Sequence, residues 1–170
     1  MPELPEVETV VRGLRPLVTG RTVTGTKCTW ARTLHSPDAS TFGARSAGQT
    51  IRTVDRRAKY IVMALDHDFL VVHLKMTGRL YVTAADAVYD ADRWLRLHLD
   101  LDNGQQLRFS DPRKFGRVYL TGDLASITGS LGPEPLADDF SPADFVARLA
   151  GRRRCLKALL LDQGFIAGVG

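Results

Sequence analysis

Cysteine is scarce in this 170-residue chain, with two thiols, Cys28 and Cys155. They stand far apart and form no CxxC or other metal-ligand spacing, so they offer no metal site. Two free, buried or half-buried thiols in a reducing compartment are expected. No N-terminal stretch has the basic, apolar and small-residue order of a secretory signal. No apolar run reaches the ~20 residues needed to span a bilayer, so a cytoplasmic protein is expected. Internal repeats and low-complexity tracts are also lacking. Neither charge sign dominates: 23 Lys+Arg against 19 Asp+Glu leave a formal net charge of +4. That total says little about partners. Placement says more, with basic clusters at Arg56-Arg57-Lys59, Arg113-Lys114-Arg117 and Arg152-Arg153-Arg154-Lys157.

What is present supports a folded core: 44% of residues are hydrophobic. The first twenty residues read as one helix, because Leu4, Val7, Val10, Val11, Leu14, Leu17 and Val18 recur at spacings of three and four. Pro5 is tolerated in its first turn and Gly20 can close it. Strands are predicted over Thr22 to Trp30, Ile51 to Leu65 and Phe69 to Val82. The clearest is Trp94 to Leu101, where Leu95, Leu97, Leu99 and Leu101 share one face. Asp102-Asn103-Gly104 then supplies hairpin chemistry, followed by strands Gln106 to Ser110 and Val118 to Leu120. From Thr121 to Asp139, Gly122, Gly129, Gly132, Pro133 and Pro135 read as a linker. Ser141-Pro142 with Asp144 resembles a capping box opening a helix, its apolar face formed by Phe145, Val146 and Leu149. A further helix, Cys155 to Leu161, is expected to turn Leu156, Leu159 and Leu160 inward. The order predicts an α+β, mainly β chain: an N-terminal helix and an antiparallel β-sandwich over 1–121, a linker over 122–140, and a partial helical domain over 141–170. The final helix pair has no further partner in sequence, which reads as the start of a second domain.

Met1-Pro2-Glu3-Leu4-Pro5-Glu6 carries the most chemistry. Met before Pro is a context in which the initiator Met is removed, exposing Pro2 as a secondary amine. An α-amino group titrates near 8, so roughly a quarter is unprotonated near pH 7.4. Such an amine can attack an anomeric carbon, and a secondary amine then yields an iminium ion, an electron sink for β-elimination. Glu3 and Glu6 lie three apart beside it, and one carboxyl group could act as general acid. On the residues alone a plainer reading is favoured: Glu3, Glu6 and Glu8 complement the helix dipole, and Pro2 is inert.

Pro2-Glu3-Leu4-Pro5-Glu6-Val7-Glu8-Thr9 resembles the opening of the formamidopyrimidine-DNA glycosylases. Arg56-Arg57-Ala58-Lys59-Tyr60, His73-Leu74-Lys75-Met76-Thr77-Gly78, Asp111-Pro112-Arg113-Lys114-Phe115-Gly116, Leu131-Gly132-Pro133-Glu134-Pro135-Leu136, Leu161-Asp162-Gln163 and Ala167-Gly168-Val169-Gly170 are similar to family segments in the same order. The resemblance implies Pro2 as Schiff-base nucleophile, Glu3 as proton donor for base loss, Glu6 in support, and Lys59 near the lesion phosphate. It implies excision of oxidised purines (8-oxoguanine, formamidopyrimidines) with lyase action on the abasic site. The expected partner is double-stranded DNA carrying oxidised purines or abasic sites, met by a monomer; no membrane is involved.

A glycosylase must extrude its nucleotide and fill the gap. By resemblance Met76, Arg113 and Phe115 are the inserted residues, with Arg113 facing the orphaned cytosine. His73 is a phosphate contact and Arg153 a basic contact of the second domain. Parity leaves a core role open for Met76, which alternates with Leu70, Val72 and Leu74, while Thr77-Gly78 argues for an exposing turn. Two departures stand out. Where the family often carries a His, this chain reads Arg93-Trp94-Leu95-Arg96. The family's continuation is also missing from these residues: an Asn-Ile-Tyr segment, a base-covering loop, an arginine used in δ-elimination and a four-cysteine zinc finger. No metal ligand or cofactor is therefore expected within this chain; zinc belongs to the finger of a full-length form. Rival readings are a fragment that binds DNA without full catalysis, an endonuclease VIII-like enzyme for oxidised pyrimidines, and an N-terminal-proline tautomerase. The last has no use for Lys59, Met76 and the Arg113-to-Phe115 group together.

Overall fold

The computed structural model describes residues 1–88 and 90–170. Helix α1 (Leu4–Val18) buries Val7, Val11, Leu14 and Val18, one stripe at helical spacing. Leu17, expected on that stripe, is exposed, because the apolar run is wider than the face that meets the sheets. Strands β1 (Val23–Cys28), β2 (Leu34–Ser36), β3 (Thr53–Arg57), β4 (Tyr60–Ala64), β5 (Phe69–His73), β6 (Arg79–Ala84), β7 (Leu95–Leu101), β8 (Gln105–Ser110) and β9 (Arg117–Thr121) follow, with helix α2 (Ala39–Ser46) between β2 and β3.

They form two sheets, one of order β1-β7-β8-β6 and one of order β2-β9-β5-β4-β3. The first is antiparallel throughout. The second is antiparallel except at one edge, where β2 runs parallel to β9, so the predicted antiparallel sandwich stands. Leu97, Leu99 and Leu101 of β7 turn inward as their alternation predicted, and join Leu107 and Phe109 of β8, Ile61 and Met63 of β4 and the α1 stripe in one core.

The predicted runs Ile51 to Leu65 and Phe69 to Val82 are each two strands. The first breaks at a turn where Ala58 has φ 53° and the second at a turn where Lys75 has φ 55°. Periodicity cannot mark such turns, because no glycine or proline stands at the left-handed position. Helix α2 escaped prediction because only Phe42 and Ser46 of its eight residues are buried, too few for a visible stripe. Asp38 caps it, accepting from the backbone N–H of Ser40 and Thr41.

After the sandwich, helices α3 (Ala125–Thr128), α4 (Pro142–Leu149) and α5 (Leu156–Leu160) complete the chain. The linker therefore contains a short helix. Ser141 and Asp144 make the predicted capping box on α4. The helix pair is not unpartnered: Leu159, Phe165 and Ile166 form a second small core, with Phe145 and Leu149 against it. Val146 and Leu156, expected inside, are exposed, because the segment 163–167 covers only one side of the pair. Cys155, expected to be at least half-buried, is also exposed.

Candidate active site and nucleic-acid interface

The N-terminus of α1 is shaped by its own side chains. The Glu6 carboxylate accepts the backbone N–H of Glu3 at 2.9 Å. That N–H, followed by Glu6's own, holds the Glu6 carboxyl below its usual range. Glu6 is thus an anion that fixes the first turn. The turn is also tied to the far end of the chain, where the Leu4 N–H donates to the Gly168 carbonyl at 3.2 Å. Gln163 clamps that segment, accepting from the Gly168 N–H at 2.9 Å and donating to the Val169 carbonyl at 2.7 Å.

Lys59 is only 4% exposed. Burial lowers its ammonium pKa, and the neighbouring Glu3 carboxylate opposes that shift. Both groups converge on the backbone of Gly170: a Cβ there would lie 2.5 Å from Lys59 Nζ and 2.9 Å from Glu3 Oε1. The geometry thus gathers Pro2, Glu3, Glu6 and Lys59 at one end of α1. Two adjoining cavities open beside them. One of ≈ 550 Å³ is lined by Pro2, Glu6, Val10, Leu74 and Leu80 among others. The second, of ≈ 420 Å³, runs from Pro2 past Met76 and Thr77 to Trp94 and Pro112. Arg79 and Asp90 border both, and sequence reasoning missed them because neither stands in a recognisable motif.

Met76 is 44% and Phe115 47% exposed. The open core alternative for Met76 is thereby closed: the turn after Leu74 carries it out of the β5 alternation. Arg113 lies over the Phe115 ring, 4.8 Å from its centroid. Among the described residues, the non-glycine residues at positive φ are Ala58, Lys75 and Lys114. Each is directly beside one of the candidates Lys59, Met76, Arg113 and Phe115. Left-handed backbone in residues with a Cβ costs of order 1 kcal/mol each and collects at functional positions.

His73 ends β5, buried, with the Tyr60 ring edge-on at 4.7 Å. Its Nδ1 accepts the Lys75 N–H at 3.0 Å, which assigns the ring proton to Nε2. Burial, then the charges of Lys75 and Lys59, depress its pKa to about 4. His73 is therefore a neutral donor, not a cation.

The basic clusters divide into paired and free members. Arg56 and Arg57 both ion-pair with Glu134, so they are internal struts rather than a free basic surface. Arg117 donates to the carbonyls of Lys114, Phe115 and Gly116. Arg154 pairs with Asp162 at 2.8 Å, whereas Arg153 between its two neighbours is exposed and makes no ion pair among the described residues. At the departure from the family pattern, Arg96 is engaged, donating to the Asp111 carbonyl, and Arg93 stays exposed over Trp94.

The residues present do not fit a zinc finger. Thiols come only from Cys28 and Cys155, and among the described residues no three His, Cys, Asp or Glu side chains gather as a metal-binding group. Among them also, no helix is long and apolar enough to cross a membrane.

The formamidopyrimidine-DNA glycosylase N-terminal domain model matches residues 1–118. The chain is 48% identical to the formamidopyrimidine-DNA glycosylase of Chloroflexus aurantiacus over the whole chain and 62% of that protein. It is 41% identical to that of Geobacillus kaustophilus, over the whole chain and 63% of that protein. The chain thus spans less than two thirds of the length of these relatives. The structure of the Lactococcus lactis enzyme bound non-covalently to DNA containing an abasic site superposes with a TM-score of 0.89 at 30% identity, over 99% of this chain and 65% of that one. The same enzyme with DNA containing a formamidopyrimidine lesion gives 0.89 at 30% identity, over 99% and 64%. By its sequence and its fold, the chain belongs to the formamidopyrimidine-DNA glycosylase family.

Proposed function

We propose that this chain carries the chemical half of a DNA glycosylase that excises oxidised purines and then acts as a lyase at the abasic site. The observation that carries the reading is that Pro2 and Met76 line one cavity while Glu3, the residue after Pro2, meets Lys59 at Gly170. Relatives of the same fold bind DNA with abasic sites and with a formamidopyrimidine lesion, which supports the same substrate class.

Met1 is 55% exposed and belongs to neither core cluster, so its removal leaves both cores intact. Removal frees the Pro2 nitrogen beside the cavities. The unprotonated amine adds to C1′ of the lesion sugar, and the Glu3 carboxyl supplies the proton that accompanies loss of the base. The ring opens to an iminium ion linking Pro2 to C1′. A proton passes from C2′ to water, the electron pair flows toward the iminium nitrogen, and the C3′–O bond breaks with departure of the 3′ phosphate. Lys59, held in place by the Ala58 turn, lies where a phosphate would be met. Met76, Arg113 and Phe115 occupy the space vacated by the extruded nucleotide. His73 donates its Nε2–H to a phosphate, and Arg153 adds a second-domain contact. We divide the chain into a catalytic sandwich over 1–121, a connector over 122–140 and the start of a helix-two-turn-helix domain over 141–170, and take the protein to act as a monomer.

Borohydride trapping on duplex DNA with 8-oxoguanine opposite cytosine tests the reading. A covalent adduct mapped to Pro2, in protein whose intact mass shows loss of Met1, is expected. Active protein that fully retains Met1 would overturn the proline mechanism.

A further inference from the structure

Asp111 is a buried carboxylate with 0% exposure. Its Oδ1 accepts the hydroxyl of Thr77 and the backbone N–H of Arg113, and its Oδ2 accepts the N–H of Gly116 at 2.7 Å. One side chain therefore binds two loops 34 residues apart in sequence. Thr77 follows Met76 in the first loop, while Arg113 and Gly116 bracket Phe115 in the second.

The ring of Phe109 lies beneath the same junction. A Cβ on Gly78 would stand 3.0 Å from one edge of that ring and 2.5 Å from the Leu74 carbonyl. A Cβ on Gly116 would fall on the opposite edge. Both loops thus reach the ring only because these two positions are glycine. Two outer contacts complete the arrangement. The Lys114 ammonium sits 4.0 Å from the Trp30 ring centroid, and Arg117 draws in the loop carbonyls.

Exposed Met and Phe side chains on unrestrained loops would fold back onto the apolar cavity beside them, because burial of their surface is favourable. The carboxylate and the ring hold them outward at fixed separation. We propose that Asp111 is a positioning residue that couples the Met76 loop and the Arg113-to-Phe115 loop, so that they enter the DNA gap as one preset unit. This rests on the gap-filling reading above.

The test uses the full-length protein and a duplex carrying a stable tetrahydrofuran abasic analogue, with 2-aminopurine opposite it to report insertion by stopped-flow fluorescence. If the loops act as a unit, Met76→Ala and Phe115→Ala each slow insertion about tenfold, and the double variant is slowed about tenfold as well, not a hundredfold. In a Thr77→Val background, which removes one tie to Asp111 and keeps the side-chain shape, the two losses should multiply instead. Thr77→Ser should restore the wild-type pattern. A merely structural role for Thr77 would slow every protein alike and leave the pattern unchanged, which overturns the proposal. Multiplicative losses in the wild-type background overturn it too, with gap filling intact. If neither single variant slows insertion, the gap-filling reading itself fails.

Discussion

The Glu134 carboxylate accepts the backbone N–H of Ala58, the residue that turns the chain into Lys59. It also pairs with Arg56 at 2.8 Å and Arg57 at 3.0 Å, so a residue of the connector holds the β3–β4 turn from outside the sheet. Burial alone would raise the Glu134 pKa, but the Ala58 N–H and the two guanidinium groups outweigh it and hold the carboxyl low. Lys59 owes its position at the end of α1 to a contact 76 residues away in sequence.

Glu134→Ala should therefore cost about 3 kcal/mol, because it leaves two half-buried arginines and one N–H without their shared acceptor. Urea melts measure this, and a loss below about 1 kcal/mol would show that the arginines find other partners. Because the folded pKa is depressed, the stabilisation is present above the unfolded carboxylate range and is lost as pH falls through the folded value. Glu134→Ala should flatten that acid limb of the stability curve.

His73 gives a pH signature of a different origin. Its folded pKa of about 4 lies below the ordinary 6.5. The unfolded chain then binds more protons between those values, so stability should fall as pH drops from 6.5 toward 4. His73→Gln should remove this slope. DNA affinity should gain nothing from His73 between pH 8 and roughly 5, since the ring stays neutral. An NMR titration placing His73 near 6.5 would refute the neutral-donor assignment.

Glu3 and Glu6 separate by role. Glu6 commits its carboxylate to the Glu3 N–H, which holds its pKa low, whereas the Glu3 side chain lies toward Lys59 and Gly170. Glu3→Gln should lower excision of 8-oxoguanine at least a hundredfold, the usual size of a general-acid effect. Cleavage of a pre-formed abasic site, where no base departs, should persist. Glu6→Gln keeps an acceptor oxygen and should slow both substrates by about tenfold or less. Selective loss of base excision in Glu6→Gln, matching Glu3→Gln, would move the proton donor to Glu6.

Much of this was legible in the sequence where local pattern and tertiary need agree. Helix α1 and the alternation of β7 announce themselves at spacings that burial then uses, and the Ser141 capping box at a spacing that its hydrogen bonds use. The resemblance picked out Pro2, Glu3, Glu6 and Lys59, and the fold brings these four to one end of α1. What stayed hidden is long-range or unpatterned. Glu134 looks like a polar residue between prolines until the fold brings it to Ala58. Asp111 opens the segment that contains Arg113 and Phe115, but its hold on Thr77 needs β6 paired with β8 so that Arg79 stands opposite Ser110. The turn at Ala58 uses left-handed backbone without glycine, so no breaker marked it, whereas Thr77-Gly78 signalled the turn that begins at Lys75. Arg56 and Arg57 count as free charge in a composition and as half-buried struts paired to Glu134 in the structure.

That last distinction yields a test on the second basic run. Arg153 and Arg154 are neighbours with equal formal charge. Arg154 is committed to Asp162 at 2.8 Å, while Arg153 is exposed and makes no ion pair among the described residues. A cation already paired within the protein releases fewer counterions on meeting a phosphate than a free one. Binding of undamaged duplex should weaken linearly with salt on logarithmic axes, with a slope near 0.9 for each phosphate neutralised. Arg153→Gln should reduce that slope by about one contact and leave the melting temperature unchanged. Arg154→Gln should leave the slope nearly intact and lower stability slightly, by less than about 1 kcal/mol as for an exposed pair. Salt titrations of binding with both variants, beside thermal melts, decide the matter. Equal slope changes for the two would mean that the Asp162 pair opens when DNA binds, and that the free-charge assignment of Arg153 alone is wrong.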